Sequence, residues 1–262
     1  MMTHKRQPVF GTITLHIAED GIATLKLDRP DAHNAFNRSM IDDLTTAAAR
    51  LKVDDNVRAV VMAATGKTFS AGGDLRWMQA QAGKDRAGKI AEGRALANML
   101  LALNNLPMPV ITCVQGNAFG GGLGLIAVSD IVIAARSAKF ALTETRLGLI
   151  PATIGPFVIR KLGPAGTRQA FFTGSVLSAE TMQRLGMVTH VAADDDLGAV
   201  LETELVTVRA AAPGAMRAAK SYAMDQIGLP DTSTVEIAIN ALADRWESDE
   251  AKAGIAAFFD KT

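Results

Sequence analysis

The sequence predicts an α/β fold, and three observations carry that expectation. Short apolar runs of strand length alternate with longer amphipathic stretches up to about residue 195. Glycine-bearing loops directly follow two of those apolar runs. From Leu197 onward only helical patterns remain, interrupted at Pro213-Gly214 and Gly228-Leu229-Pro230.

The elements follow in order. Val9 to Leu27 breaks into two short runs around Glu19-Asp20-Gly21, the pattern of a β-hairpin. Asn37 is placed to cap a helix from Arg38 to about Leu51, with Ile41, Leu44, Ala48 and Leu51 on one face. Arg58 to Ala63 reads as a buried strand, followed by a loop from Thr65 to Gly73. A helical pattern from about Arg86 to Leu103 stops ahead of Pro107 and Pro109, neither of which can continue it. The strand Val110 to Val114 follows, then Gly120-Gly121-Gly122, a helix into Val128, and the strand Ile131-Val132-Ile133. The resulting division is a mixed core over residues 1–195 and a helical region over 196–262.

Composition narrows the function. The 262 residues carry 27 basic and 27 acidic side chains, so the chain lacks the basic excess of a nucleic-acid protein. The single cysteine, Cys113, excludes an intrachain disulfide and a cysteine-rich zinc site, and its apolar strand marks it as structural. None of the four histidines pairs with another at ligand spacing, so no metal is expected. No apolar stretch approaches the roughly 18 to 20 residues of a membrane helix. The first residues show no signal-peptide core, so a cytoplasmic location is expected.

Common signatures fail in turn. Gly66-Lys67-Thr68 ends like a phosphate-binding loop, yet Val61 stands where its first glycine belongs. Gly122-Leu123-Gly124 through Ala127 fits the loose dinucleotide pattern but lies in mid-chain rather than in an opening βαβ unit. No G-x-S-x-G elbow is present.

Two loops remain, Thr68 to Leu75 and Gly116 to Gly122. Adjacent glycines let a backbone expose its N–H groups, and the amides that open a helix have no intrahelical partner and carry partial positive charge. Two such loops could each direct one donor at the same developing oxyanion; the alternative is a pair of ordinary tight turns.

These loops belong to a wider set of motifs. Leu27-Asp28-Arg29-Pro30 with Asn34-Ala35-Phe36-Asn37, Phe69-Ser70-Ala71-Gly72-Gly73-Asp74-Leu75, Gly116 to Gly122, Phe140 to Pro151 around Glu144, and Thr173-Gly174 with Ala179 to Gly186 lie in one order. In that order they resemble the crotonase family, the enoyl-CoA hydratase/isomerase superfamily, over essentially the whole chain. The resemblance implies a spiral of repeated ββα units with a C-terminal helical region that builds trimers, often paired into hexamers. It implies an oxyanion hole from the amides of Ala71 and Gly121, with Glu144 as the proton-transfer residue. For the CoA thioester it implies contacts at Ala35, Gly72, Gly73, Asp74, Leu75, Arg76 and Lys261. Asp31 replaces a frequent lysine, which implies fewer phosphate contacts. CoA is then part of the substrate, and no separate cofactor is expected.

One position departs from the family pattern. Hydratases of this kind usually carry a second glutamate where this chain has Gly124. A single glutamate suits proton shuttling between carbons, which is isomerase chemistry, or hydration with water held by other groups. Phe119 to Leu125, Thr143 to Val158 and Trp77-Met78 resemble the bacterial methylglutaconyl-CoA hydratase branch of leucine catabolism, where glycine also stands at this position. A branched acidic acyl group would want a cation nearby, with Arg146 or Arg160 as candidates. Hydratase, isomerase and an inactive acyl-CoA-binding homologue all remain open at this point.

Overall fold

The computed structural model describes residues 9–228 and 232–260. The expected hairpin is β1 (Ile13–Ile17) antiparallel to β2 (Ile22–Leu27). Gly21 turns it with φ +83°, beside Arg58, where a β-carbon would collide with the Asn56 carbonyl. Asn37 caps α1 (Arg38–Lys52) by accepting a hydrogen bond from the Met40 amide at 2.9 Å, and Ile41, Leu44, Ala48 and Leu51 are buried as expected.

The chain continues through β3 (Ala59–Ala64), α2 (Leu75–Ala82), α3 (Arg86–Asn104), β4 (Val110–Val114) and β5 (Ala118–Phe119). It then forms α4 (Gly121–Ala127), β6 (Ile131–Ala135), β7 (Lys139–Ala141) and α5 (Gly155–Phe171), the last bent at Gly163-Pro164. Next come β8 (Leu177–Ser178), α6 (Ala179–Arg184) and β9 (His190–Ala192). The remaining described helices are α7 (Leu197–Ala210), α8 (Pro213–Ile227), α9 (Thr232–Glu247) and α10 (Asp249–Phe259). Helix α2 is not among the elements expected from sequence. Its eight residues are too few for a clear period, and its N-cap, Asp74, lies inside a glycine loop.

Two sheets organise these elements. The larger has the order β1-β2-β3-β4-β6-β9, with every pair after the hairpin parallel; the smaller is β5-β7-β8. Isolated bridges pair Phe36 with Gly73 and Ser70 with Ala118, so the earlier turns of the chain also contribute strand-like segments beside the small sheet. The turns through β2, β3, β4 and β6 thus each run through a strand of the large sheet, then a short segment of the second layer, then a helix. This is the expected ββα repeat.

Strand alternation sorts the core. Ala23, Leu25, Leu27, Val60, Met62, Val110 and Val132 join the main cluster with α1 and α3, while Ile22, Ala59, Val61, Ile111 and Ile133 face Leu205 and Val208 of α7. Buried on both faces, these strands read as continuous apolar runs. Cys113 lies in β4, where burial pushes its thiol up to about 11, which leaves it unreactive.

No helix among the described residues is long and apolar enough to cross a membrane. Replacing the α1 cap, Asn37→Ala, is expected to cost about 1 kcal/mol of stability by urea unfolding, because the Met40 amide loses its side-chain acceptor.

Candidate active site

The site is built on the second-layer segments of successive turns, and Asn34 fixes the first two to each other. Fully buried and held at φ +52°, Asn34 donates from Nδ2 to the carbonyls of Thr65 and Thr68 at 2.8 and 2.9 Å. Its Oδ1 accepts the Arg29 amide at 2.8 Å, and its own carbonyl accepts the Ser70 hydroxyl at 2.9 Å. The Arg29 guanidinium then reaches Asp74 at 2.9 Å. Burial alone would raise the Asp74 carboxyl, but Arg29 and the Trp77 and Arg76 amides bring it below its usual range.

This knitting decides which amides are free, and it corrects one expectation. The Ala71 N–H donates to the His33 carbonyl at 2.9 Å, so it is not available to an oxyanion. Phe36 pairs with the Gly72 carbonyl and the Asp74 amide on either side of Gly73, which turns the Gly73 N–H away from Phe36. Among the described residues that amide has no partner. The Gly121 amide, in the first turn of α4, likewise has none, as expected from sequence.

The two loops approach closely. A β-carbon on Gly72 would lie 3.0 Å from the Phe119 carbonyl, and one on Gly120 would lie 3.1 Å from Glu144 Oε1. Gly120 also has φ +46° and ψ −119°, a conformation that favours glycine.

Glu144 stands in the 3-10 turn Thr143–Leu147 that follows β7, and α10 packs against this turn. Gly148 closes it with φ +74°. The side chain keeps some contact with a mouth cavity of about 540 Å³, shared with Gly73, Gly121, Arg146 and Phe258. Its Oε2 is sealed and has no hydrogen-bond partner among the described residues. Burial raises the carboxyl to about 7.

An inner cavity of about 130 Å³ opens beside it, shared by Gly73, Gly121 and Glu144 and walled by Phe36, Trp77, Met78, Leu149, Ile154, Leu242 and Trp246. Leu242 and Trp246 come from α9, so the helical region after residue 196 supplies part of the site. The site therefore spans the division drawn from sequence.

The space beside Gly124 is closed. A β-carbon there would lie 2.8 Å from Ile154 Cγ2 and 3.3 Å from Leu100 Cδ1. Gly124 and Ile154 are thus a matched pair, and a longer side chain at 124 has no room.

Sequence reasoning missed the other polar groups of the inner cavity. Gln81 Oε1 and Thr153 Oγ are buried without partners among the described residues, and Lys89 and Glu92 lie on the same wall. Lys89 pairs with Glu247. Glu92, which burial alone would raise, is held below its usual range by Lys84, Trp77 and Arg38. None sits in a recognisable motif, because α2, α3 and the segment before α5 meet only in three dimensions.

The expected CoA-contacting residues are largely brought together. Ala35, Gly73, Asp74, Leu75 and Arg76 line one surface cavity of about 600 Å³ with Arg29, Asp31 and Phe258, and Gly72 lines the adjoining mouth. Lys261 lies outside the described residues. Arg146 borders the mouth but not the inner cavity. Arg160 does not approach the site: it donates to the Asn104 side chain at 2.7 Å and the Gly228 carbonyl at 3.0 Å, on a separate groove. Among the described residues no group of His, Cys, Asp and Glu could hold a metal.

The raised carboxyl has a consequence for stability. Between pH 4.5 and about 7 the folded protein retains a proton that the unfolded chain loses, so this group's contribution falls as pH rises through that window. Glu144→Gln removes the dependence. Its stability relative to wild type, measured by urea unfolding, is expected to improve by up to about 3 kcal/mol between pH 4.5 and pH 8.

The family described as enoyl-CoA hydratase/isomerase matches residues 18–262. The chain is 32% identical over 216 residues to the enoyl-CoA hydratase ACTT6 of Alternaria alternata, covering 82% of this chain and 70% of that one. It is 37% identical over 182 residues to the 1,2-epoxyphenylacetyl-CoA isomerase of Escherichia coli K12, covering 68% of this chain and 69% of that one. The crystal structure of an enoyl-CoA hydratase from Shewanella pealeana superposes with a TM-score of 0.79 at 34% identity, covering 96% and 94% of the two chains. The chain belongs to the enoyl-CoA hydratase/isomerase family, the crotonase superfamily, and has its α/β fold.

Proposed function

We propose that the protein is an enoyl-CoA hydratase that adds water across the 2,3-double bond of an acyl-CoA thioester. One observation carries the reading: two unpartnered amides, of Gly73 and Gly121, border the same cavities as one buried carboxyl, Glu144. In this reading the thioester oxygen accepts from both amides, and CoA runs outward past Gly72, Leu75 and Arg76 along the surface cavity.

Water attacks C3, and the π electrons of the C2–C3 bond move toward the thioester oxygen as an enolate. Glu144 takes a proton from that water and returns it to C2 as the enolate collapses. The two amides act where charge develops, and losing one such donor in comparable sites costs about 3 to 4 kcal/mol of transition-state stabilisation. Glu144 must be ionised to accept the proton, and a carboxyl near 7 is strong enough as a base and still able to protonate carbon. CoA is part of the substrate, and the reaction asks for no separate cofactor.

Gly124 favours a second reading, a Δ3-Δ2-enoyl-CoA isomerase in which Glu144 alone moves a proton between C2 and C4. The acyl group is bounded by the inner cavity, which suits a short or compact branched chain; methylglutaconyl-CoA is one candidate. The groove bordered by the exposed Ile159, Phe172 and Ile227 supports assembly into a trimer or a pair of trimers.

Purified protein is expected to bleach the conjugated-thioester absorbance of crotonyl-CoA or methylglutaconyl-CoA. Glu144→Gln should lower kcat/KM by at least about 100-fold. Below an inflection near pH 7, kcat/KM should fall about tenfold per pH unit. A gain of absorbance from 3-enoyl-CoA without bleaching of 2-enoyl esters would favour the isomerase, and CoA-ester binding without turnover of either would leave a binding protein. Light scattering on a sizing column is expected to give the mass of three or six chains; a monomer would remove the assembly proposal.

A further inference from the structure

Hydration by one carboxyl leaves the attacking water with too few partners. A water that gives one hydrogen to Glu144 still needs its second hydrogen held, so that a lone pair points at C3. A side chain at position 124 cannot do this, because Ile154 already fills the space into which it would project. The residue next to Ile154 offers an alternative.

Three buried side-chain oxygens lack a hydrogen-bond partner among the described residues: Glu144 Oε2, Thr153 Oγ and Gln81 Oε1. All three residues line the same inner cavity. Thr153 and Gln81 are each 4% exposed, so bulk water does not satisfy them. Leaving a buried hydroxyl unpaired costs about 1 to 3 kcal/mol, so three such atoms around one small cavity point to a polar occupant. Gly93 of α3 lines the same cavity beside the hydroxyl, and a β-carbon there would stand 3.8 Å from Thr153 Oγ. A water needs two to four polar partners, and a cavity of about 130 Å³ has room for one alongside a short acyl chain.

We propose that Thr153 holds the attacking water, taking over the second contact that a carboxylate at position 124 would have made. Thr153 Oγ accepts the hydrogen that stays on the water, Glu144 accepts the one that transfers, and the oxygen lone pair forms the bond to C3. The transferred proton then moves from Glu144 to C2, so the net addition is H and OH. Gln81 Oε1 completes the polar wall. The inference rests on the hydratase reading and deepens it.

The test compares two reactions in one protein. Hydration of crotonyl-CoA needs the held water, whereas exchange of the C2 protons of butyryl-CoA in D2O uses Glu144 and the two amides without an attacking water. Thr153→Val keeps the shape and removes the hydroxyl. It is expected to lower kcat for hydration about 10- to 100-fold, with KM within about twofold and C2 exchange unchanged. Thr153→Ser, which restores a hydroxyl, should recover most of the rate. Thermal stability of Thr153→Val should stay close to that of wild type, since the side-chain shape is kept; Thr153→Ala stands in if the valine variant does not fold. Full hydration by Thr153→Val, or an equal loss of hydration and exchange, would overturn the role of Thr153 while leaving the hydratase reading intact. Wild-type protein that exchanges C2 protons but hydrates none of the enoyl esters would overturn the hydratase reading and this inference with it.

Discussion

The site depends on how buried backbone hydrogen bonds are distributed between two adjacent turns of the chain. Asn34 satisfies the Thr65 and Thr68 carbonyls with one side-chain amide and ties its own carbonyl to Ser70. His33 takes the Ala71 amide, and Phe36 takes its neighbours on both sides of Gly73. Buried amides are nearly always paired, so a single amide left over in so dense a network is a localised site of unspent positive potential. Gly121 supplies a second by a different route, as the opening amide of a helix. The folding of the loops thus leaves two free donors bordering the same cavities before any ligand arrives, and in the proposed reaction such preorganisation gives backbone donors their effect.

Opposite these donors the protein places a carboxyl where water does not reach one of its oxygens. Burial is the whole reason that Glu144 rises to about 7, since no anion or cation beside it contributes. The cost of holding that group falls on stability, and in the proposed reaction the benefit falls on proton transfer near neutral pH. Gly124 and Ile154 show the same economy, since an apolar side chain fills the volume a second acid would need. The polar character of the cavity shifts to Thr153 and Gln81.

Much of this was legible in the sequence. The Asn37 cap, the α1 face, the apolar strands and the all-helical end each depend on local period or local chemistry, and each was found where expected. The motifs also singled out Glu144, whose carboxyl is buried, and Gly121, whose amide is free among the described residues. The resemblance implied Ala71, whose amide His33 takes; a glycine-rich loop announces free amides without saying which one. That choice depends on His33 and Phe36, more than 30 positions earlier in the chain.

Sequence by itself determined the class of the fold, the order of most of its elements and the family, and it pointed to Glu144 as the candidate proton-transfer carboxyl. Tertiary structure alone decided that Gly73 rather than Ala71 keeps its amide free, that α9 and α10 close over the site, and that Ile154 excludes a side chain at position 124. The physical reason is the same in each case. Local patterns record what a segment does with its own neighbours, whereas a free donor, a sealed oxygen or a filled volume is defined by what distant segments bring against it.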